Sequence, residues 1–167
     1  MLSRLRSAAT IALALLAMPA VALAELPAKH ALPLSVAMKM IDGCIAYATT
    51  NKLALTIVVK DSGDDLLAFG RMDGAGLGTI DAALGKATAA GRFGAPTSAM
   101  ANFAFDPKSK APGALALIPG FVVLQGGLPI MIAGGERIGA IAASGAAPQQ
   151  DEACAQAGID AVKPDLQ

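Results

Sequence analysis

Hydrophobic and polar residues in the first half of the chain follow two different periods. Apolar residues recur every three or four positions over residues 34–50, which predicts a helix with one buried face. Residues 53–59 and 66–70 are short apolar runs that include β-branched side chains, and the turn KDSGDD separates them. Gly and Asp are typical turn residues, so these runs predict an antiparallel hairpin.

The second half of the chain also predicts helices and a strand pair, with smaller residues. An alanine-rich helix with Thr79 as its N-cap is predicted up to about residue 93, followed by a short helix over 97–103. Residues 106–119 contain three prolines and predict an irregular loop, and 121–124 are a short apolar segment. Strands are predicted at 128–132 and 137–143, and a last helix at 148–162. This order predicts one α+β domain with a mainly antiparallel sheet covered by helices.

The N-terminal segment is predicted to be removed from this domain. Arg4 and Arg6 precede an apolar run, and Ala22-Leu23-Ala24 fits the small-x-small pattern of a cleavage site. Residues 1–24 are therefore interpreted as a cleaved signal peptide, and an uncleaved anchor is the alternative. We expect residues 25–167 to form a single domain in the periplasm or outside the cell, without a membrane span.

Composition narrows the classes of partner. The chain has 13 basic and 13 acidic residues and no basic cluster, which argues against nucleic acid. Only 16% of residues are charged, which favours burial of part of the surface in a homo-oligomer. Export permits a disulfide between Cys44 and Cys154, and two buried apolar cysteines are the alternative.

The single histidine, His30, excludes most catalytic and metal-binding arrangements. A nucleophile elbow, a P-loop lysine motif, a haem-attachment motif and zinc-ligand spacing are all absent from the sequence. Arg71, Asp73, Lys86 and Glu152 would form an acid–base site only if the fold brought them together. The sequence therefore favours non-covalent binding of a small or flat ligand over enzymatic activity.

Candidate ligand-binding residues are His30 and the start of a glycine-rich loop, Arg71-Met72-Asp73. His30 is a candidate axial ligand of haem iron, or an exposed residue of the segment before the first helix. Met72 is a candidate thioether ligand. Arg71 would pair with a haem propionate or other carboxylate, or form a salt bridge with Asp73 or with the acids of the first turn. The predicted cofactor site is thus His30, Arg71, Met72 and Asp73, with His30 binding the metal.

Several segments resemble the GlcG/HbpS family, which also includes the C-terminal domain of PduO-type proteins. The matching segments are VVKDSGDDL (58–66), RMDGA (71–75), residues 81–90, FGAPT (93–97), GGLPI (126–130), GAI (139–141), SG (144–145) and QDE (150–152). The resemblance covers residues 34–162. The sequence departs from it at Ala142 and Ala146, where the family often has glycine.

The resemblance implies a profilin-like sandwich and homo-oligomers, often octamers. Family members are linked to haem binding or degradation, to redox sensing with a partner kinase, and to cobalamin-related proteins. We therefore expect an exported protein that binds haem and handles it or senses redox state, with a sensor or transport partner. The alternative is an oligomeric scaffold or a binder of another small ligand or protein without haem chemistry, with Arg71 and Asp73 at the oligomer interface.

Overall fold

The computed structural model describes residues 28–109 and 113–167. The predicted signal peptide lies outside the described residues. The helices and strands, in chain order, are α1 (Leu34–Thr50), β1 (Thr56–Asp61), β2 (Leu66–Arg71), α2 (Gly78–Phe93), α3 (Thr97–Ala104), β3 (Gly127–Met131), β4 (Arg137–Ser144) and α4 (Pro148–Ala161). Short 3-10 turns occupy Ala114–Leu117 and Lys163–Leu166.

The four strands form one antiparallel sheet in the order β2-β1-β4-β3. Both hairpins are as predicted, and the long central pairing of β1 with β4 joins them. Pro129 lies in β3, an edge strand, where a residue without an N–H costs the sheet least. The α+β class with a helix-covered antiparallel sheet is confirmed.

The helices cover the two faces of the sheet differently. Helices α1 and α4 pack together on one face, over a core that includes Met40, Ile57 and Ile141. Helix α2 packs on the other face, where small residues such as Ala87 and Ala142 meet Val58. Because side chains alternate between the faces of a strand, neighbouring residues of β1 and β4 contribute to different cores.

A disulfide joins Cys44 of α1 to Cys154 of α4. Their Cα atoms are 4.6 Å apart, and both residues are fully buried. The two helices approach closely because Gly43 faces Ala161, where a Cβ on the glycine would lie only 2.7 Å from the alanine Cβ. Of the two alternatives left by the sequence, the structure shows the bridge.

Two local predictions are wrong in detail. Strand β1 begins at Thr56 rather than at residue 53, because the N–H of Leu53 bonds to the carbonyl of Ala48 at the end of α1. Thr79 lies inside α2 instead of capping it, and its hydroxyl donates to the Gly76 carbonyl. The short apolar segment 121–124 is not a strand, and its Phe121 packs in a small core with residues of α3.

Candidate functional site

His30 lies just before α1 and is held by Glu136, at the turn between β3 and β4. Its ring Nδ1 is 2.7 Å from Glu136 Oε2, and its backbone N–H donates to Oε1 at 3.0 Å. These hydrogen bonds, with the one from the ring the larger cause, lower the pKa of Glu136 below its ordinary value. The carboxylate is therefore ionised at neutral pH and can only accept, so Nδ1 carries the proton.

This arrangement leaves the second ring nitrogen of His30 available. The side chain is 67% exposed. Among the described residues, Nε2 has no hydrogen-bond partner. A histidine that ligates a metal usually donates its other ring N–H to a carboxylate or carbonyl, which fixes the tautomer and raises the basicity of the ligating nitrogen. His30 already has this geometry.

A cavity of about 200 Å³ opens beside His30, and we call it the His30 cavity. Its walls are mostly apolar, with Asp165 as a charged residue among them. It is lined by His30, Ala31, Leu32, Pro33, Val36, Ile132, Ile138, Asp165, Leu166 and Gln167. The cavity therefore offers an apolar surface next to a free imidazole nitrogen.

Arg71 ends β2 and turns back onto the glycine-rich loop. Its Nε and Nη2 donate to the carbonyl of Ala75 at 3.1 and 2.7 Å. Arg71 therefore closes its own loop and makes neither of the predicted salt bridges, with Asp73 or with the acids of the first turn. Met72 is half-buried against the main core, and Asp73 is exposed.

The structure does not bring His30 together with Arg71–Asp73 in one protomer. Arg71 pairs with Thr56, which pairs with Ser144 at the end of β4, whereas Glu136 precedes the start of that strand. Seven steps along β4 separate the two ends by roughly 23 Å at ~3.3 Å per residue. The two halves of the predicted cofactor site thus lie at opposite ends of the sheet.

Sequence reasoning missed a buried ion pair between α2 and α4. Lys86 Nζ lies 2.7 Å from Asp151 Oδ2 and donates to the Ala143 carbonyl at 3.1 Å, and both charged side chains are 3% exposed. Asp151 Oδ1 accepts from the N–H of Ala146. Gly126 covers the pair, since a Cβ there would lie 2.8 Å from the Lys86 amine.

Two of the four candidate acid–base residues are thereby engaged elsewhere, Lys86 with Asp151 and Arg71 with Ala75. The glycine pair at 126–127, which the sequence pattern places at a hairpin turn, lies against this buried pair in the structure. Within residues 28–109 and 113–167, no group of three or more His, Cys, Asp or Glu is placed to hold a metal ion.

No helix in the same part of the chain is long and apolar enough to span a membrane.

Comparisons with known proteins agree with this architecture. Crystal structures of Klebsiella pneumoniae protein ORFY (26% identity, TM-score 0.77) and HbpS (31% identity, TM-score 0.72) are similar to it. The matches cover 84% of this chain and 97% of ORFY, and 81% of this chain and 93% of HbpS. The PduOC:haem complex (22% identity, TM-score 0.72; 79% of this chain, 95% of that chain) shares the fold.

A search of curated proteins found no match to this chain. Residues 32–160 match a family model described as haem degrading protein HbpS-like. That match spans most of the chain and includes all four strands and helices α1–α4 apart from the last residue of α4. The chain therefore belongs to the HbpS-like family.

Proposed function

We propose that this chain binds haem non-covalently, with Nε2 of His30 as the axial ligand of the iron. The observation that carries the proposal is the 2.7 Å contact between His30 Nδ1 and Glu136, which leaves Nε2 as a lone-pair donor. Neutral imidazole is a common haem ligand. Membership of the HbpS-like family and the fold shared with the PduOC:haem complex support the same ligand.

The cavity beside His30 is large enough to hold only an edge of a haem. The apolar walls of the His30 cavity can cover an edge of the macrocycle, but about 200 Å³ is less than a typical cavity for a drug-sized ligand. Most of a haem bound to exposed His30 would therefore remain in water. Since exposed apolar surface is unfavourable, we expect a second copy of the chain to cover the opposite side.

We also propose that the protein acts after export, in the periplasm or outside the cell. The buried bridge between Cys44 and Cys154 supports this, because disulfides persist in oxidising compartments. There the protein would handle haem or sense redox state together with a sensor or transport partner.

A haem titration of the purified domain tests the proposal. Wild-type protein is expected to give a Soret band with saturable binding, and His30→Ala to reduce the affinity at least tenfold. Met72→Ala is the control for the other end of the sheet, where a half-buried thioether packs on the core. The proposal is refuted if His30→Ala binds haem with unchanged affinity and spectrum.

An oligomeric scaffold without haem chemistry is the second candidate function. It is supported by exposed apolar side chains around α3, where Phe93 is 50% and Phe103 65% exposed. These two rings and Leu115 line a shallow cavity of about 230 Å³ with almost no polar surface. A matching surface on a second copy would remove these rings from water, as in homodimer interfaces.

Size-exclusion chromatography of haem-free protein tests whether the surface around α3 is an oligomer interface. Phe103→Glu is expected to shift the protein towards a smaller species, whereas Met38→Glu, on the outer face of α1, should not. Met38 is itself 44% exposed, so it controls for loss of apolar surface. If the assembly is unchanged by Phe103→Glu, the surface around α3 is not the interface.

A further inference from the structure

A second group of charged side chains surrounds the turn between β1 and β2. They line a cavity of about 310 Å³, which we call the turn cavity, formed by Asp61, Ser62, Gly63, Asp64, Gly91, Arg92 and Arg137. Arg137 points to the α2 side of the sheet, since its Cδ lies 3.9 Å from where a Cβ of Gly94 would be. Its neighbour Ile138 belongs to the core on the opposite face. The turn cavity is therefore separate from the His30 cavity.

The two acids that line the turn cavity already have partners. Asp61 Oδ1 accepts two backbone N–H groups of its own turn, at 2.8 and 3.0 Å. Asp64 accepts from Lys60 Nζ at 2.9 Å and from Arg92 Nε at 2.9 Å. Burial alone would raise the pKa of Asp64, but the hydrogen bonds, led by that from Lys60, lower it below its ordinary range. Asp64 therefore remains ionised and keeps both cations in place.

In the part of the chain that the structure describes, Arg137 has no such partner for its guanidinium, and Arg92 has one for only part of its guanidinium. Arg137 is half-buried, yet within the described residues its guanidinium has no hydrogen bond or ion pair. Arg92 uses Nε and Nη2 for Asp64, which fixes the plane of its guanidinium and leaves Nη1 without a partner in that same part of the chain. A guanidinium that is partly removed from water and lacks an anion gains most from one that arrives with a ligand.

We propose that the turn cavity binds a small organic anion whose carboxylate or phosphate group is held between Arg92 and Arg137. Arginine forks match the two oxygens of either group, and both arginines line the same cavity. The volume corresponds to roughly ten water molecules at ~30 Å³ each, which suits a dicarboxylate or a phosphate ester. Ser62, exposed on the same wall, adds a hydroxyl donor.

A glycine at position 63 lets the turn beside this cavity pack closely on Asp61. A Cβ on Gly63 would lie 3.3 Å from Asp61 Oδ1 and would press on the carboxylate that organises the turn. The turn belongs to the KDSGDD segment, and no residue of that segment is hydrogen-bonded to His30 or lines the His30 cavity. The anion site thus assigns a role to this turn that is independent of the proposed haem site.

Isothermal titration of haem-free, full domain with succinate and with inorganic phosphate tests the site, at constant ionic strength. A charge-assisted hydrogen bond contributes about 1.5–3 kcal/mol, so Arg137→Gln is expected to weaken binding about 10- to 100-fold. Lys163→Gln is the matched control, because it removes one charge from an exposed residue beyond α4. Arg137→Lys, which keeps the charge without the fork, should fall between Arg137→Gln and wild type.

Comparison of the two titrants identifies the group that the cavity prefers, and tight binding of either one supports the proposal. It is overturned if wild type binds neither titrant, or if Arg137→Gln and Lys163→Gln weaken binding equally. Should Arg137→Gln fail to fold, Arg137→Lys decides, and unchanged affinity in that variant overturns the proposal. Haem is absent throughout, so failure here leaves the His30 proposal standing.

Discussion

Removal of the Lys86 amine is expected to destabilise the domain strongly. Lys86→Met keeps much of the side-chain volume but leaves Asp151 with one carboxylate oxygen deprived of its partner, at 3% exposure. Breaking a buried ion pair from one side costs about 3–5 kcal/mol, because the remaining charge has no water to replace the lost partner. The carbonyl of Ala143 loses a donor as well. We expect a loss of about 3–5 kcal/mol in the free energy of unfolding.

A chemically matched control is available on the surface. Lys39 pairs with Asp165 at 3.0 Å, but its side chain is 58% exposed. An exposed pair contributes about 0–1 kcal/mol, so Lys39→Met should change stability by no more than that. Both pairs join a lysine to an aspartate, so the difference in stability loss between the two variants measures the effect of burial.

Urea unfolding followed by circular dichroism measures both variants under conditions that keep the disulfide intact. The double variant Lys86→Met/Asp151→Asn removes the stranded charge and retains an acceptor for the Ala146 N–H. It should therefore be more stable than Lys86→Met alone. If Lys86→Met costs less than 1 kcal/mol, or no more than Lys39→Met, the buried pair does not hold α2 to α4 as argued.

Three further effects follow from the geometry. Replacement of Cys44 and Cys154 by alanine opens a long loop and should lower the free energy of unfolding by about 3–5 kcal/mol, measured in urea. The folded-state pKa of Asp64 is lowered, so ionised Asp64 contributes to the free energy of unfolding above its unfolded pKa, and this contribution is lost as pH falls through the folded pKa. The stability difference between wild type and Asp64→Asn should therefore shrink below about pH 3.8 and stay constant from pH 6 to 7. Gly126→Ala should cost at least about 2 kcal/mol in thermal unfolding, since φ is 131° and a Cβ would meet the Ala143 carbonyl at 2.8 Å. Equal stability of Gly126→Ala and wild type, or a pH-independent Asp64→Asn difference, would contradict these accounts.

Local patterns predicted most of the fold. The 3.6-residue period of α1 and the turn chemistry of KDSGDD suffice for a helix and a hairpin, because both depend on neighbours in sequence. Strand β1 begins later than its apolar run predicts, because the hydrogen bond from the Leu53 N–H to the Ala48 carbonyl at the end of α1 leaves no trace in that run. Local signals therefore predict the presence and type of a helix or strand better than the residue at which it begins.

The candidate site depended on contacts that no local pattern contains. Glu136, which orients His30, lies 106 residues away in sequence, and Asp151 lies 65 residues from Lys86. Arg71 is a predicted anion ligand in a glycine-rich loop, and the structure adds that its Nε and Nη2 donate to the Ala75 carbonyl. The His30–Glu136 and Lys86–Asp151 pairings exist only because the fold brings distant segments together, whereas the Arg71–Ala75 contact is local.

The central claim is that Glu136 presents Nε2 of His30 to haem iron. Haem affinity of Glu136→Ala tests it most directly, because Glu136 acts on the iron only through the imidazole it holds. Loss of such an outer partner typically weakens metal binding by about 10- to 100-fold, and we expect that loss with the Soret band still present. Glu136→Gln, which keeps an acceptor, should lose less. Wild-type affinity in Glu136→Ala would contradict the account.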